Sequence, residues 1–188
     1  MKKTIAMLLA LILTLGVVSC GGGNAKPDDS EVSDPLEVLS KVWNSYADDD
    51  KFAAVGGDDG TGKNNVEDAP GKFNVDASQL SIKFSFPEDK VDKIDSAASV
   101  SHMMNANTFT AGAFHLKDKA DAADVVKALR DSVQATQWMC GFPDKLVILT
   151  VDSVVVSAFG YEDLINTFRD KLVAAYPNAS IDYDEPIV

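Results

Sequence analysis

Cys140, His102 and His115 are the residues whose types favour nucleophilic or redox chemistry. A thiol beside an imidazole is the dyad of a thiol-dependent enzyme, so Cys140 paired with His102 or His115 is a candidate catalytic group. The run Trp138–Pro143 around the thiol is more typical of a packed helix exit, and an unpaired Cys is often a small buried hydrophobe. We therefore predict a protein that is not an enzyme, with a thiol-dependent or redox role for Cys140 as the alternative.

The residues that could bind a metal follow no recognised spacing. No His-x-x-x-His pattern occurs and no Cys lies near either His in the sequence, so a zinc site is not predicted. The acidic runs 48–50 and 58–59 do not match a calcium-binding loop, and solvated charge is preferred over a weak shared Ca²⁺ site. A soft-metal (copper) site is less favoured than core packing for His102, Met103, Met104, His115, Met139 and Cys140. We predict no metal and no cofactor.

Several aromatic side chains could line a ligand groove. Their positions on helix stripes and at strand ends make core packing the simpler interpretation. They are Trp43, Trp138, Phe142, Phe159 and Tyr161.

The N-terminus has the pattern of a lipoprotein export signal. Lys2 and Lys3 precede the apolar run Ile5–Val18, which is 14 residues long and therefore too short to span a bilayer. Val17-Val18-Ser19-Cys20 resembles the lipobox that lipoprotein signal peptidase cleaves before Cys. Residues 1–19 are therefore predicted to be the signal peptide, cleaved between Ser19 and Cys20, and Cys20 to carry the lipid. Two acyl chains suffice for stable anchoring.

Composition excludes some partners. The chain has 17 basic and 29 acidic residues, and removing residues 1–19 leaves a formal charge of −14. Nucleic acid requires a concentrated basic surface, so it is excluded as a partner. Anionic headgroups repel an acidic body, so membrane contact is expected to come from the lipid on Cys20 alone. Acylation of Cys20 would leave Cys140 without a disulfide partner.

The first half of the chain predicts a tether and the start of one α+β domain. Residues 20–33 are rich in Gly, Pro and acidic side chains, which is typical of a flexible tether. The domain is predicted to span residues 34–188. A helix begins with Asp34 as its cap and ends near residue 47. A short strand at 52–55 precedes a predicted irregular loop at 56–79.

The second half alternates hairpins and helices. Strand patterns at 97–104 and 108–116 flank an Asn-rich turn, and those at 146–151 and 154–159 flank Asp152-Ser153. Helical patterns cover 87–94, 121–138 (with Asp121 as cap) and 161–176. These elements predict an α+β fold with two layers: a four-stranded antiparallel sheet in hairpin–helix–hairpin–helix order, helices on one face, and the added N-terminal helix.

Four segments carry a resemblance to known proteins: DDDKFAAVGGD (48–58), HMMNANTFTAGAFHL (102–116), QWMCGFPDKLVI (137–148) and VVSAFG (155–160). Through them, residues 34–176 resemble uncharacterised lipoproteins of Gram-positive anaerobes that contain a domain of unknown function. Such proteins are sometimes labelled bacteriocin transport accessory proteins, a label that implies a thioredoxin-like C-x-x-C motif. This chain has no such motif, so the resemblance implies location and fold more than activity.

These observations predict a lipid-anchored protein on the extracytoplasmic face of the cell membrane. Its expected role is that of a non-enzymatic binding or interaction module of the cell envelope. Its expected partners are the membrane, through the lipid on Cys20, and an envelope protein or small ligand. The alternative is a thiol-dependent enzyme or redox accessory that uses Cys140.

Overall fold

Eight strands and four α-helices occur in the residues that the computed structural model describes, which are 31–58, 65–139 and 141–188. The strands are β1 (Ala54–Gly56), β2 (Val66–Glu67), β3 (Gly71–Phe73), β4 (Ile94–His102), β5 (Phe109–Leu116), β6 (Lys145–Val151), β7 (Val154–Gly160) and β8 (Ser180–Pro186). The helices are α1 (Pro35–Asn44), α2 (Ala77–Phe84), α3 (Ala122–Gln134) and α4 (Glu162–Ala175). Short 3₁₀ turns lie at Asp48–Asp50, Glu88–Lys93, Ala106–Thr108 and Lys119–Asp121.

The two predicted hairpins, β4–β5 and β6–β7, form the centre of one antiparallel sheet. The strand order is β2-β1-β4-β5-β7-β6-β8, with β3 also paired to β4. The α+β class and the antiparallel sheet are thereby confirmed, but the prediction of four strands is wrong. Four apolar strands alone would leave unpaired backbone groups along both edges of the sheet. At one edge β1 and β3 pair with β4, and at the other edge β8 pairs with β6.

Helices pack on both faces of the sheet, so the prediction of helices on one face is also wrong. All seven residues of β7 are buried, and such strands require cover on both sides. On one face α1 and α4 pack through Val38, Val42, Ile165, Phe168 and Leu172. On the other face α2 and α3 pack through Leu80, Phe84, Val125, Leu129 and Val133.

Local hydrogen bonds explain where the helices begin. Asp34 caps α1 as predicted, with its Oδ1 accepting from the Leu36 amide at 2.9 Å. Asp121 makes no capping hydrogen bond at α3, contrary to the prediction. Its carboxylate instead accepts from Lys93 Nζ at 3.1 Å, because a 3₁₀ turn capped by Asp118 comes directly before the helix.

The segment 56–79 is ordered where the structure describes it, contrary to the prediction of an irregular loop. It contains β2, β3 and the start of α2, while residues 59–64 lie outside the described residues. α2 begins at the cap Asp76, whose Oδ1 accepts from the Gln79 amide at 2.9 Å. Gly56 allows β1 to approach Gly71, since a Cβ there would lie 2.2 Å from the Gly71 nitrogen.

The chain joins the domain at the β6–β7 turn. The Val32 amide donates to Asp152 Oδ2 at 3.0 Å, and Ser153 Oγ donates to the Val32 carbonyl at 3.0 Å. Glu31 pairs with Lys119 at 2.8 Å. We call Glu31–Ser33 the N-terminal attachment. It forms the end of the predicted tether 20–33, and the predicted signal 1–19 lies outside the described residues.

Candidate functional site

His102 lies at the end of β4 and makes ordinary packing contacts. Its ring stacks on Phe52, with centroids 5.5 Å apart and an interplanar angle of 17°. Its Nδ1 accepts a hydrogen bond from the Met104 amide at 3.2 Å. This side chain therefore helps to close the edge of the core beside the β4–β5 turn.

His115 is paired with an acidic side chain at the other end of the same hairpin. Its Nδ1 lies 2.6 Å from Asp95 Oδ1, and this hydrogen bond holds the pKa of the Asp95 carboxyl below its ordinary value. The register places His115 opposite Ser96, which is six residues from His102 along β4 and so about 20 Å away. The two histidines cannot share a catalytic or metal site.

Cys140 lies outside the described residues, and the described segment that begins at Gly141 lies at the β4–β5 turn. The Gly141 carbonyl accepts from Asn107 Nδ2 at 2.9 Å, so the segment is held against the β4–β5 turn. This is the end of the hairpin that carries His102 and not His115.

The predicted metal alternatives gain no support from the described residues. Within the described ranges, no group of three or more His, Cys, Asp or Glu side chains could hold a metal ion. The Asp48–Asp50 run is exposed, as expected for solvated charge. Asp58 is buried instead, and its Oδ1 accepts from the Asn74 amide at 2.8 Å. Asp58 therefore has a structural role, because it ties the backbone just after β3 to the residues that follow β1.

A cleft of about 390 Å³ opens at the end of the sheet beside the β4–β5 turn. Four parts of the chain that are far apart in sequence form it: α2 with Ser85, the 3₁₀ turn at Ala106–Thr108, the segment after α3, and Phe159 on β7. Its described lining residues are Gln79, Ile82, Lys83, Ser85, Ala106, Asn107, Thr136, Gln137, Trp138, Met139 and Phe159. Its volume falls in the range of small-molecule and peptide side-chain sites.

The inner wall of this cleft is aromatic and carries one unsatisfied donor. Trp138 and Phe159 pack with their centroids 5.0 Å apart. Trp138 Nε1 is buried and has no hydrogen-bond partner among the described residues, which costs about 1–3 kcal/mol unless an acceptor reaches it. Ser85 Oγ and Thr136 Oγ1 hydrogen bond at 2.7 Å. None of the described lining residues is Asp or Glu, although the chain carries a net charge of −12.

Large apolar side chains project from the outer edge of the cleft. Ile82 is 80% exposed and Met139 is 90% exposed. We call these two residues the apolar rim. Isolated exposed apolar residues are common on proteins, but two large ones on one concave site are more typical of an interaction surface.

The aromatic residues named from the sequence divide between core and cleft. Trp43 is buried, with Nε1 donating to the Asp68 carbonyl at 2.8 Å. Trp138 and Phe159 line the cleft, and Phe142 and Tyr161 are exposed. Core packing is thus correct for Trp43 and for Phe159, which is 3% exposed, partly correct for Trp138, and wrong for the exposed Phe142 and Tyr161. The α2 side chains of the cleft were missed because α2 was not predicted.

A second cleft, of about 490 Å³, lies at the opposite end of β4 beside the N-terminal attachment. Its lining includes the carboxylates Asp34 and Asp95, which already cap α1 and pair with His115. Because these carboxylates have partners, and the described lining residues include no exposed aromatic or Met side chain, the first cleft is the better candidate site.

Comparison with known proteins identifies no relative. No protein family matches the chain, and no curated protein or solved structure is significantly similar to it. The resemblance to lipoproteins of anaerobes therefore stays a prediction. None of the helices in the described ranges has the length and hydrophobicity needed to cross a bilayer.

Proposed function

We propose that the chain is a lipid-anchored extracytoplasmic protein that acts as a non-enzymatic binding module of the cell envelope. The observation that carries this proposal is the cleft beside the β4–β5 turn, with its aromatic wall and its apolar rim. A concave, largely apolar site with a few polar groups is the usual form of a binding site. The ligand would be an envelope protein or a small molecule.

The positions of the histidines favour binding over catalysis. His115 is committed to Asp95, and His102 stacks on Phe52 about 20 Å away along the hairpin. Neither His lines the cleft, so the cleft has no imidazole base among its described lining residues. A role in recognition requires only the shape, apolar surface and hydrogen-bonding groups that the cleft provides.

The anchoring part of the proposal rests on the sequence around Cys20. The lipobox-like run and the short apolar segment before it support lipid attachment there. We expect Cys20→Ala to move the protein from the membrane fraction to the soluble fraction, or to block its processing. Fractionation followed by mass measurement tests this. A Cys20→Ala protein that stays on the membrane with its signal removed would contradict lipid anchoring.

The binding part is tested by affinity purification of the tagged full chain from membranes in mild detergent. We expect a reproducible protein or glycan partner with the wild type and with Ile181→Gln, which alters an exposed apolar residue on β8 far from the cleft. The paired variant Ile82→Gln, Met139→Gln should lose that partner. Recovery of no partner, or equal recovery with both variants, would overturn the proposal.

A Cys140→Ser variant separates binding from thiol chemistry in the same experiment. A binding module needs the shape of the cleft and not a thiolate, so this variant should retain the partner. Loss of function on this change, together with rapid reaction of the Cys140 thiol with a small alkylating reagent, would favour the thiol-dependent alternative.

A further inference from the structure

Trp138 gives the cleft a hydrogen-bond donor that the described part of the chain does not use. Its indole ring packs on Phe159 in the inner wall, and its Nε1 is buried without a partner among the described residues. Buried N–H groups are seldom left unpaired in native proteins, and an acceptor atom brought by a ligand would satisfy this one. Met139 follows Trp138 and is 90% exposed, so its flexible side chain is able to move and admit that atom.

Ser85 gives the same cleft a hydrogen-bond acceptor. Thr136 Oγ1 donates its only proton to the Ser132 carbonyl at 3.0 Å. In the 2.7 Å bond between the Ser85 and Thr136 hydroxyls, Ser85 must therefore be the donor. Its hydroxyl then has no proton left for a ligand and can only accept. Because Thr136 is two residues before Trp138, this acceptor lies close to the buried indole donor.

The charge of the lining favours a neutral ligand. None of the described lining residues is Asp or Glu, so the lining that they form has no counter-ion for a cationic ligand. Lys83 is the one charged side chain among them, and it already has an interaction partner. Burial of a carboxylate without a cation committed to it is costly, so a neutral polar group fits the inner end of the cleft better than an anion.

The surroundings of the cleft do not match the common modes of peptide binding. Strand addition needs a free sheet edge, but Phe159 lies on β7, which pairs with β5 on one side and with β6 on the other. Binding of an amphipathic helix needs a row of apolar anchors, and the described lining residues supply only the exposed Ile82 and Met139. A compact ligand that fills the cleft therefore suits the site better than a polypeptide segment.

We propose that the cleft binds a small neutral aromatic compound that carries a carboxamide group. The ring packs against Trp138 and Phe159, the carbonyl oxygen accepts from Trp138 Nε1, and the amide N–H donates to Ser85 Oγ. The cleft volume of about 390 Å³ is sufficient for one such compound. The proposal rests on the proposed function in taking this cleft as the binding site, and it adds the chemical class of the ligand.

Proton–nitrogen NMR spectra of the predicted mature chain, which begins at Cys20, test this with benzamide as the probe. The chain has two Trp residues, and the indole N–H signal that Trp138→Phe removes belongs to Trp138. Benzamide should move this signal downfield, because a hydrogen bond to the carbonyl oxygen deshields the indole proton. The Trp43 signal is the internal control and should stay in place, since that N–H already donates to the Asp68 carbonyl at 2.8 Å.

Two substitutions and two related probes assign each hydrogen bond. Acetophenone keeps the carbonyl oxygen but lacks the N–H, and toluene lacks both groups. Trp138→Phe should weaken the binding of benzamide and acetophenone about two- to tenfold, the range for one hydrogen bond, and that of toluene by a smaller factor. Ser85→Ala should weaken benzamide by a similar factor and leave acetophenone unchanged. Backbone amide signals give these affinities and verify that each variant is folded.

Four results would overturn the inference. They are a Trp138 signal that does not move up to the solubility limit of benzamide, equal affinity of the wild type and both variants for benzamide, tighter binding of benzoate or benzylammonium than of benzamide, and displacement of benzamide by a short apolar peptide that lacks aromatic side chains. The last result would assign the cleft to a polypeptide.

Membrane purification gives an independent result. A partner that the wild type retains and Ile82→Gln, Met139→Gln loses, together with a Trp138 signal that benzamide does not move, would refute the ligand class and leave the binding module standing. Benzamide binding without such a partner would refute the module as a receptor for an envelope macromolecule and leave the ligand class standing. Failure of the inference and failure of the proposed function are therefore distinguishable.

Discussion

Replacement of Asp152 tests how the chain is joined to the domain. Asp152 has a left-handed backbone, with φ of 52°, and its carboxylate accepts hydrogen bonds from the Val32 amide at 3.0 Å and from Asn178 Nδ2 at 3.2 Å. Asp and Asn tolerate this backbone conformation, whereas other residues with a Cβ are strained in it. Asp152→Ala therefore removes an acceptor and adds strain.

The expected loss can be worked out from these two effects. The left-handed conformation costs Ala about 1 kcal/mol, and loss of the hydrogen bond to a charged acceptor costs about 1.5–3 kcal/mol. The total is about 2.5–4 kcal/mol off the free energy of unfolding, which at an m-value of about 2 kcal/mol/M lowers the urea midpoint by about 1.2–2 M. Asp152→Asn is the matched control, because it keeps the conformation and an acceptor oxygen.

Two measurements check this reasoning. Urea unfolding should rank the wild type above Asp152→Asn and the latter above Asp152→Ala. Hydrogen exchange at the Val32 amide should accelerate in Asp152→Ala in native buffer, because this amide loses its acceptor. If Asp152→Ala unfolded at the same urea concentration as Asp152→Asn and the Val32 amide stayed protected, the attachment at the β6–β7 turn would be refuted.

Two further predictions concern the stability of the sheet. Gly56→Ala should cost about 1–3 kcal/mol in urea unfolding, because its Cβ would lie 2.2 Å from the backbone nitrogen of Gly71; an unchanged midpoint would contradict this close approach of β1 and β3. Burial raises the pKa of Asp184, but the hydrogen bonds from Lys145 and Arg169 outweigh burial and hold that pKa below its ordinary value. A carboxyl with a lowered folded pKa stabilises the fold above its unfolded pKa and loses this effect as the pH falls through the folded value. The difference in unfolding free energy between the wild type and Asp184→Asn should therefore be largest near neutral pH and shrink below about pH 4; a difference that grew on acidification would show the sign to be wrong.

The elements that could be predicted are those with long apolar patterns. The apolar stripe on α3 includes Val125, Leu129 and Val133, and all three side chains are buried. β6 and β7 are almost wholly apolar and flank the turn residues Asp152-Ser153. This pattern predicts the hairpin that the two strands form. In such segments local periodicity and tertiary burial favour the same structure.

The missed elements have weak patterns, although signals for two of them were present. α2 buries only Leu80 and Phe84, which is too few for a clear stripe, yet Asp76 followed three residues later by Gln79 is a capping signature. β8 alternates apolar and acidic residues at Ile181, Asp182 and Tyr183, the pattern of a half-exposed edge strand. Its stability comes from pairing with β6, which no local pattern specifies.

The sequence by itself determined the parts of this protein that depend on near neighbours in the chain. These are the central hairpins and three of the α-helices. The lipid site at Cys20 is likewise predicted from adjacent residues alone. Only the tertiary structure decided that helices cover both faces of the sheet, that His102 and His115 lie at opposite ends of one hairpin, and that the N-terminal attachment is remote from the cleft. The physical reason is that these relations depend on strand register and on contacts between distant segments, as when Asn107 of the β4–β5 turn bonds to Gly141.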